Sequence, residues 1–185
     1  MKILIVSIVR CGSTSLSHNI ANEYSLKPLI EPFGHIKENR EKNRYESSMD
    51  DVVVKTIVGQ IPNFYTNNIN LELLNKWEDW IIEFSKEFDK VILLSRRDLN
   101  AASESFSVAS FYNKSWSKPY KYEKLPNLEQ SKKIIDQLSV FLNKTSENLQ
   151  IPITYYEDIF DENSTERLRR PDSEELPKIE IKLII

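Results

Sequence analysis

The sequence has a single cysteine and no excess of basic over acidic residues, and each of these features excludes a class of protein. Its single cysteine, Cys11, permits no disulfide within the chain, so the fold does not depend on an oxidising compartment and we expect a cytoplasmic location. The formal net charge is −3, whereas a general nucleic-acid or membrane-surface binder needs a basic excess. We therefore expect no nucleic-acid or membrane partner, and any site for an anion has to be local.

Long hydrophobic runs are also missing. The apolar start, Met1 to Val9, is too short to span a membrane and runs directly into Arg10, so it predicts a buried first strand and not a signal peptide. With 185 residues, 40% of them hydrophobic, the chain is long enough for one domain with its own core. We expect that single domain over residues 1–185, with a core of about 2–160 and a charged segment at 161–185.

Short apolar runs rich in β-branched residues predict buried strands at Ile3–Val9, Val52–Val58, Val91–Leu94 and Ile151–Tyr156, with a weaker run at Pro28–Ile30. Helical spacing of apolar residues lies between them, at Thr14–Tyr24, Leu71–Phe88 and Asn127–Leu149. Asn127 with Gln130 predicts a capping box at the last of these helices. The alternation predicts an α/β fold with a central parallel sheet flanked by helices, whose ligands bind beyond the carboxyl ends of the strands.

Glycine is scarce and its positions are informative. The three glycines, Gly12, Gly34 and Gly59, each follow a predicted strand closely, where they serve either ordinary turns or a close approach of backbone to ligand. The polar segments 37–50 and 113–126 are candidates for lids over a site or for ordinary solvated connections.

The first strand leads into a loop whose residues suit an anion. The start of a helix exposes unpaired N–H groups, to which the loop adds an arginine and three hydroxyls; the same hydroxyls also suit a helix cap without any ligand. A nucleotide kinase would show Gly-x-x-x-x-Gly-Lys-Ser/Thr, and the second glycine and the lysine are both missing here. The loop consists of Arg10, Cys11, Gly12, Ser13, Thr14 and Ser15.

A second strand-to-helix junction also carries positive charge. Arg96 and Arg97 follow the run Val91–Leu94, and Asp98 is placed to cap the next helix. Ser105 lies two helical turns beyond Asp98, on the same side. The junction is either a second local anion site or a surface helix cap.

These two junctions together resemble sulfotransferases that use 3′-phosphoadenosine 5′-phosphosulfate (PAPS). The order Arg-x-Gly-Ser-Thr-Ser resembles their 5′-phosphosulfate loop, and Arg97 with Ser105 resembles their 3′-phosphate motif, an arginine followed eight residues later by a serine. Leu99 replaces the usual proline of that motif, so Arg96 with Ser103 is an alternative pair. The resemblance implies a P-loop-like sulfotransferase fold, PAPS as donor, 3′-phosphoadenosine 5′-phosphate (PAP) as product, and no metal. Cys11 stands in place of a serine, and the positive loop predicts a lowered pKa for its thiol.

Candidates for a catalytic base follow two other strands. Glu31 resembles the glutamate of the Glu-Pro segment of carbohydrate sulfotransferases, where it is thought to act as base, although it also fits a simple strand end; His35 is the alternative base. Lys55 and Thr56 resemble the Lys-Thr-His stretch of cytosolic sulfotransferases, with Ile57 in place of the histidine. Lys55 is either an electrostatic clamp on the transferred group or a lysine that extends to solvent at a sheet edge.

A late segment, Tyr155 to Asp158, resembles the Tyr-Glu-Asp that ends a strand in many sulfotransferases, where its role is mainly structural. The function implied by the resemblance is transfer of a sulfuryl group from PAPS to the hydroxyl of a small-molecule or carbohydrate acceptor. The alternatives are a small-molecule or nucleotide kinase with a degenerate loop, and a nucleotide-binding module without turnover.

Overall fold

The structure, a computed structural model, describes residues 1–62, 64, 70–112 and 127–160. The predicted charged segment 161–185 and the polar segment 113–126 lie outside the described residues. A five-stranded sheet forms the centre of the described part. Its strands are β1 (Lys2–Ser7), β2 (Lys27–Ile30), β3 (Val52–Ile57), β4 (Lys90–Ser95) and β5 (Ile153–Tyr155).

The strand order is β2-β3-β1-β4-β5, and every pair is parallel. β1 lies at the centre, with Ser7 in register with Ile57 of β3 on one side and with Leu94 of β4 on the other. The residues from Ile3 to Ser7 are all buried, which is why this strand has a continuous apolar pattern and no alternation. The predicted α/β fold with a central parallel sheet is confirmed.

Helices connect the strands. They are α1 (Ser13–Tyr24), α2 (Lys37–Lys42), α3 (Leu71–Ser85), α4 (Leu99–Tyr112), α5 (Leu128–Leu149) and α6 (Tyr156–Ile159). The apolar faces of the long helices supply much of the core, including Leu16, Trp77, Ile81 and Leu138. Residues 37–50 include the short helix α2. The composition of this segment is consistent with either a lid or a solvated connection.

All strands being parallel, their carboxyl ends meet at one edge of the sheet, which we call the carboxyl edge. The loop 8–12 follows β1 there, Glu31 follows β2, and Arg96 and Arg97 follow β4. Lys55 lies in β3, in register with Ile30, the last residue of β2. The candidate residues of four neighbouring strands are therefore gathered at the same edge.

Candidate functional site

The loop after β1 ends at a helix start that no side chain caps. Gly12 is the N-cap of α1, with φ 74°, and among the described residues no side chain forms a hydrogen bond as its cap. The hydroxyls of Ser13, Thr14 and Ser15 thus lie in the first turn of the helix and do not replace a ligand as the cap. Because the first N–H groups of a helix lack intrahelical acceptors, this start keeps its capacity to bind an anion.

Arg10 extends from the loop to α4. Its backbone adopts φ 67°, and its Nε and Nη2 atoms both donate to Ser105 Oγ, at 2.7 and 2.5 Å. Burial and then the charge of nearby Arg96 lower the pKa of Arg10 to about 9. The positive form of Arg10 is thus destabilised, and an anion bound beside it would stabilise that form.

In neither of the two alternative arginine–serine pairs does the structure show the arginine bonded to its serine. Arg97 forms a bidentate ion pair with Asp158, at 2.6 and 2.8 Å, and both side chains are about half exposed. Ser103 is buried and donates to the backbone oxygen of Leu99 at 2.7 Å, inside its own helix. Arg10 therefore meets Ser105, the serine of one pair, and lies near Arg96, the arginine of the other.

The start of α4 is already occupied by carboxylates. As predicted, Asp98 caps the helix, since its Oδ1 accepts from the Ala101 N–H at 2.9 Å. Glu157 accepts from the backbone N–H groups of Arg97 and Asp98, at 3.0 and 3.3 Å, and its Oε1 lies 3.6 Å from Arg96 Nε. The helix start is therefore occupied, and of the two arginines Arg96 has the longer ion pair, 3.6 Å against 2.6 Å for Arg97.

On the other side of the loop, a buried ion pair joins β3 to the end of β2. Lys55 Nζ donates to Glu31 Oε1 at 2.5 Å, and the lysine side chain is 3% exposed. Gln60 donates from Nε2 to Glu31 Oε2 at 3.0 Å. Burial raises the pKa of Glu31, but the charge of Lys55 and the hydrogen bonds from Lys55 and Gln60 outweigh it, and the pKa lies below its ordinary value. Glu31 is therefore a carboxylate at neutral pH.

Lys55 does not extend to solvent at an edge, because β3 lies between β1 and β2. The alternative base, His35, is exposed, and its backbone oxygen accepts from Arg40 Nη1 at 2.7 Å. His35 contributes to the lowered pKa of Glu31, so the two candidate bases are neighbours. Both hydrogen-bonding oxygens of Glu31 are engaged, which makes it a positioned but weak base.

The expectation for Cys11 was wrong. Its thiol is buried and donates to the Ile8 backbone oxygen at 3.0 Å. Burial raises the pKa of the Cys11 thiol, and the charge of Lys55 and hydrogen bonds with Ser7 and Ser13 only partly oppose this. Cys11 is therefore part of the packing beneath the loop.

Sequence reasoning missed two residues of this edge. Gln60 follows Gly59 in a turn, and Glu157 lies in the segment to which only a structural role was given. The position of Gln60 just beyond a strand end was the available signal, since that is where α/β folds place ligands. The Tyr155–Asp158 segment does have a structural role, because Glu157 and Asp158 both bind the β4–α4 junction.

The described residues contain neither a helix able to cross a membrane nor a cluster of metal ligands. None of the helices in residues 1–62, 70–112 and 127–160 has the length and apolar composition to cross a membrane. The same part of the chain holds no group of three or more His, Cys, Asp or Glu side chains placed to bind a metal ion.

No protein-family model matches this sequence, and no curated protein matches it. Among solved structures, the chain is similar to the crystal structure of the YorR protein from Bacillus subtilis in complex with phosphorylated GDP. The sequence identity is 12%, the TM-score is 0.42, and the match covers 84% of each chain. A likeness of this degree carries no argument about function.

Proposed function

We propose that this protein is a sulfotransferase that moves a sulfuryl group from PAPS to an acceptor hydroxyl. The observation that carries the proposal is the contact of Arg10 with Ser105, which joins the loop after β1 to α4. The two sequence motifs that resemble the phosphate-binding motifs of sulfotransferases therefore contribute to one site. An adenosine bisphosphate needs such a pair of neighbouring anion sites, one for each phosphate.

The residues at the loop fit a 5′-phosphosulfate. The start of α1 offers backbone N–H groups that no side chain of the described residues caps. The positive charge of Arg10 is destabilised by burial and by Arg96, so an anionic ligand gains from binding beside it. Arg96 and Ser105 are the residues we assign to the 3′-phosphate, in place of Arg97.

The ion pair of Lys55 and Glu31 lies on the acceptor side of the loop in this proposal. PAPS, when bound, supplies the sulfuryl group, whose bond to the 5′-phosphate oxygen breaks as the acceptor oxygen bonds to sulfur. Lys55 stabilises negative charge on the transferred group, and Glu31 accepts the proton of the acceptor hydroxyl. The acceptor is a small molecule or a carbohydrate, the latter by the resemblance of the Glu31-Pro32 segment.

The proposal is tested by thermal unfolding with PAP, with ATP and Mg²⁺, and with no ligand, on the wild type and on Ser105→Ala. At a PAP concentration a hundred times its Kd, we expect the wild-type Tm to rise by roughly 5 to 10 °C. The rise should be much smaller in Ser105→Ala. The matched control is Ser110→Ala, at an exposed serine of the same helix, which should respond as the wild type does.

Transfer is then measured with ³⁵S-labelled PAPS and a panel of carbohydrate and phenolic acceptors. If the wild type labels an acceptor with ³⁵S and Glu31→Gln does not, the result supports the assignment of Glu31 as the base. Stabilisation by ATP and Mg²⁺ but not by PAP would favour a kinase. Stabilisation by PAP without any labelled product would favour a nucleotide-binding module.

A further inference from the structure

Gln60 is held at the carboxyl edge by a turn that follows β3. Its backbone N–H donates to the Ile57 oxygen at 3.0 Å, and its side-chain Oε1 accepts from the Ile57 N–H at 3.2 Å. Thr56 Oγ1 is a further donor to the same oxygen, at 3.4 Å. Because a backbone N–H can only donate, the amide oxygen has to face Ile57, and the amide nitrogen faces Glu31. The orientation of the Gln60 side chain is therefore determined.

Glu31 has an unusual backbone conformation. Its φ is 53°, in the left-handed region that residues other than glycine rarely adopt. The backbone is held on both sides, since its N–H donates to the Lys55 oxygen at 2.8 Å and its oxygen accepts from the Gly34 N–H at 3.0 Å. Backbone strain of this kind persists only where the surroundings enforce it, and it is frequent at functional sites. The position of Glu31 is thus imposed by the residues around it.

Gly34 leaves room for the contact between Gln60 and Glu31. A Cβ atom added to Gly34 would lie 3.2 Å from Gln60 Nε2 and 3.3 Å from Glu31 Cβ. Both distances are shorter than most Cβ atoms in proteins keep from a neighbour. The second glycine of the sequence therefore permits the close approach of these two side chains.

The two oxygens of the Glu31 carboxylate differ in their partners. Oε1 accepts from the positive Lys55 Nζ, and Oε2 accepts from the neutral Gln60 amide at 3.0 Å. The hydrogen bond from the charged donor is the stronger of the two, so Oε2 keeps the greater affinity for a proton. Each oxygen has two lone-pair positions, and the Glu31 side chain is 24% exposed. Oε2 can therefore accept a proton from a hydroxyl while Gln60 remains bound.

The titratable groups that act on Glu31 come from β3 and from its own turn. Lys55 and His35 both contribute to its lowered pKa, as does the hydrogen bond from Gln60, and burial acts in the opposite direction. Gln60 is uncharged, so replacing it with another neutral residue changes no charge at the site. Two further titratable side chains lie in the surroundings of these groups, Cys11 near Lys55 and Arg40 at the His35 backbone oxygen.

We infer that Gln60 is a positioning residue that directs Glu31 Oε2 toward the hydroxyl of the acceptor. The inference rests on the proposed function, because it assumes that Glu31 accepts the proton of the acceptor. In that step the O–H bond of the acceptor breaks and the proton bonds to Oε2. The electron pair left on the acceptor oxygen forms the new bond to sulfur, as the bond from sulfur to the 5′-phosphate oxygen breaks. Gln60 touches no reacting atom and acts only through Glu31.

The first test is a titration of Glu31 in Gln60→Met, which keeps the length of the side chain and removes its hydrogen bonds. Carbon-13 NMR of glutamate-labelled protein follows the Glu31 carboxyl, whose signal is assigned by its absence in Glu31→Gln. Removing a donor to the ionised carboxylate raises its pKa, so we expect the midpoint to rise by about one pH unit. Gln137→Met, at an exposed position of α5, is the matched control and should leave the midpoint unchanged. Repeating the titration in His35→Gln separates the shift from the titration of the histidine.

The second test separates the orientation of Glu31 from its basicity, through the kinetics of ³⁵S transfer from labelled PAPS. In Gln60→Met the raised pKa makes Glu31 a stronger base, which by itself would speed the transfer. We expect kcat at pH 7 to fall instead, by about tenfold, because the carboxylate is no longer directed, and we expect KM for PAPS to stay unchanged. Gln60→Ala is a second variant and should show the same two effects. PAP should raise the Tm of both variants as it does that of the wild type, which shows that they are folded.

Three results would overturn the inference and leave the proposed function standing. The first is a Gln60→Met variant that titrates and transfers as the wild type does. The second is a raised midpoint without a fall in kcat, since Gln60 would then favour the charge of Glu31 without directing it. The third is a fall in kcat with an unchanged midpoint, since the effect would not pass through Glu31. If the wild type transfers no sulfuryl group to any acceptor, the proposed function fails and the inference fails with it.

Discussion

The aromatic ring of Tyr156 lies where a side chain on Gly12 would have to go. A Cβ atom added to Gly12 would meet Cδ2 and Cε2 of Tyr156 at 2.8 Å and Cε2 of Phe160 at 3.1 Å. Since atoms do not approach this closely without a shift, the start of α1 is held against α6 by a contact that only glycine permits. The loop that bears Arg10 is thereby positioned by a segment at the far end of the described chain.

Gly12→Ala tests this contact. The substitution combines a left-handed backbone, φ 74°, with the clash against Tyr156, and we expect it to lower the free energy of unfolding by about 1 to 3 kcal/mol. The measurement is urea unfolding. The double variant Gly12→Ala/Tyr156→Ala relieves the clash but not the backbone strain. Tyr156→Ala should therefore lower the free energy of unfolding less in the Gly12→Ala background than in the wild type. Additive effects of the two substitutions would contradict this account.

The buried ion pair predicts a large effect of Lys55→Met. Removing the lysine leaves Glu31 largely buried beside an apolar side chain, and we expect a loss of about 3 kcal/mol of unfolding free energy at pH 7. Lys55→Met/Glu31→Gln removes both charges and should regain part of the loss. No recovery in the double variant would mean that the packing of the Lys55 stem, not the charge, causes the effect.

The same pair predicts how stability depends on pH. The pKa of Glu31 is lowered in the folded protein, so its contribution is complete above its ordinary value of 4.5 and is lost as the pH falls through the folded pKa. In Lys55→Met, burial acts without the lysine and raises that pKa, so Glu31 then destabilises the fold at neutral pH. We therefore expect the difference in stability between wild type and Lys55→Met to narrow as the pH is lowered below about 5. Urea unfolding at a series of pH values measures it, and a constant difference would contradict the assignment.

Arg10 predicts an alkaline limit to anion binding. Its pKa of about 9 lies well below that of an ordinary arginine, and a bound anion raises it again. Binding of PAP should therefore be accompanied by proton uptake near pH 9 and should weaken as the pH rises above that value. Calorimetric titration in buffers of different ionisation enthalpy measures the uptake. In Arg10→Gln the affinity should be lower at pH 7 and the proton uptake near pH 9 should disappear.

We expect only one of the two arginines after β4, Arg96, to contact the 3′-phosphate. Arg96 lies near Arg10, whereas Arg97 is neutralised by Asp158. We expect Arg96→Ala to reduce the affinity for PAP relative to AMP by about tenfold or more, as for a hydrogen bond between charged groups. Arg97→Ala should leave the ratio of the two affinities unchanged. The opposite result would restore Arg97 as the 3′-phosphate ligand.

Much of the fold was predictable because the information is local. Continuous apolar runs identified the strands, and the spacing of apolar residues identified α1, α3 and α5 to within a few residues. Asp98 was recognised as a cap from its place before a helix, and the cap is present. Asn127 shows the limit of such signals, since it precedes α5 with φ 52° and, among the described residues, without a capping hydrogen bond from its side chain.

The sequence by itself determined which residues could take part in a site, since the order of strand, glycine, hydroxyls and arginines can be seen without coordinates. Only the tertiary structure decided how they combine. Ser105 accepts hydrogen bonds from Arg10, which lies 95 residues earlier in the chain, and Arg97 forms an ion pair with Asp158. Cys11 is buried, and burial raises the pKa of its thiol, which was expected to be lowered. These outcomes depend on which strands become neighbours and on how much water each side chain loses, and neither quantity is encoded in the residues next to it along the chain.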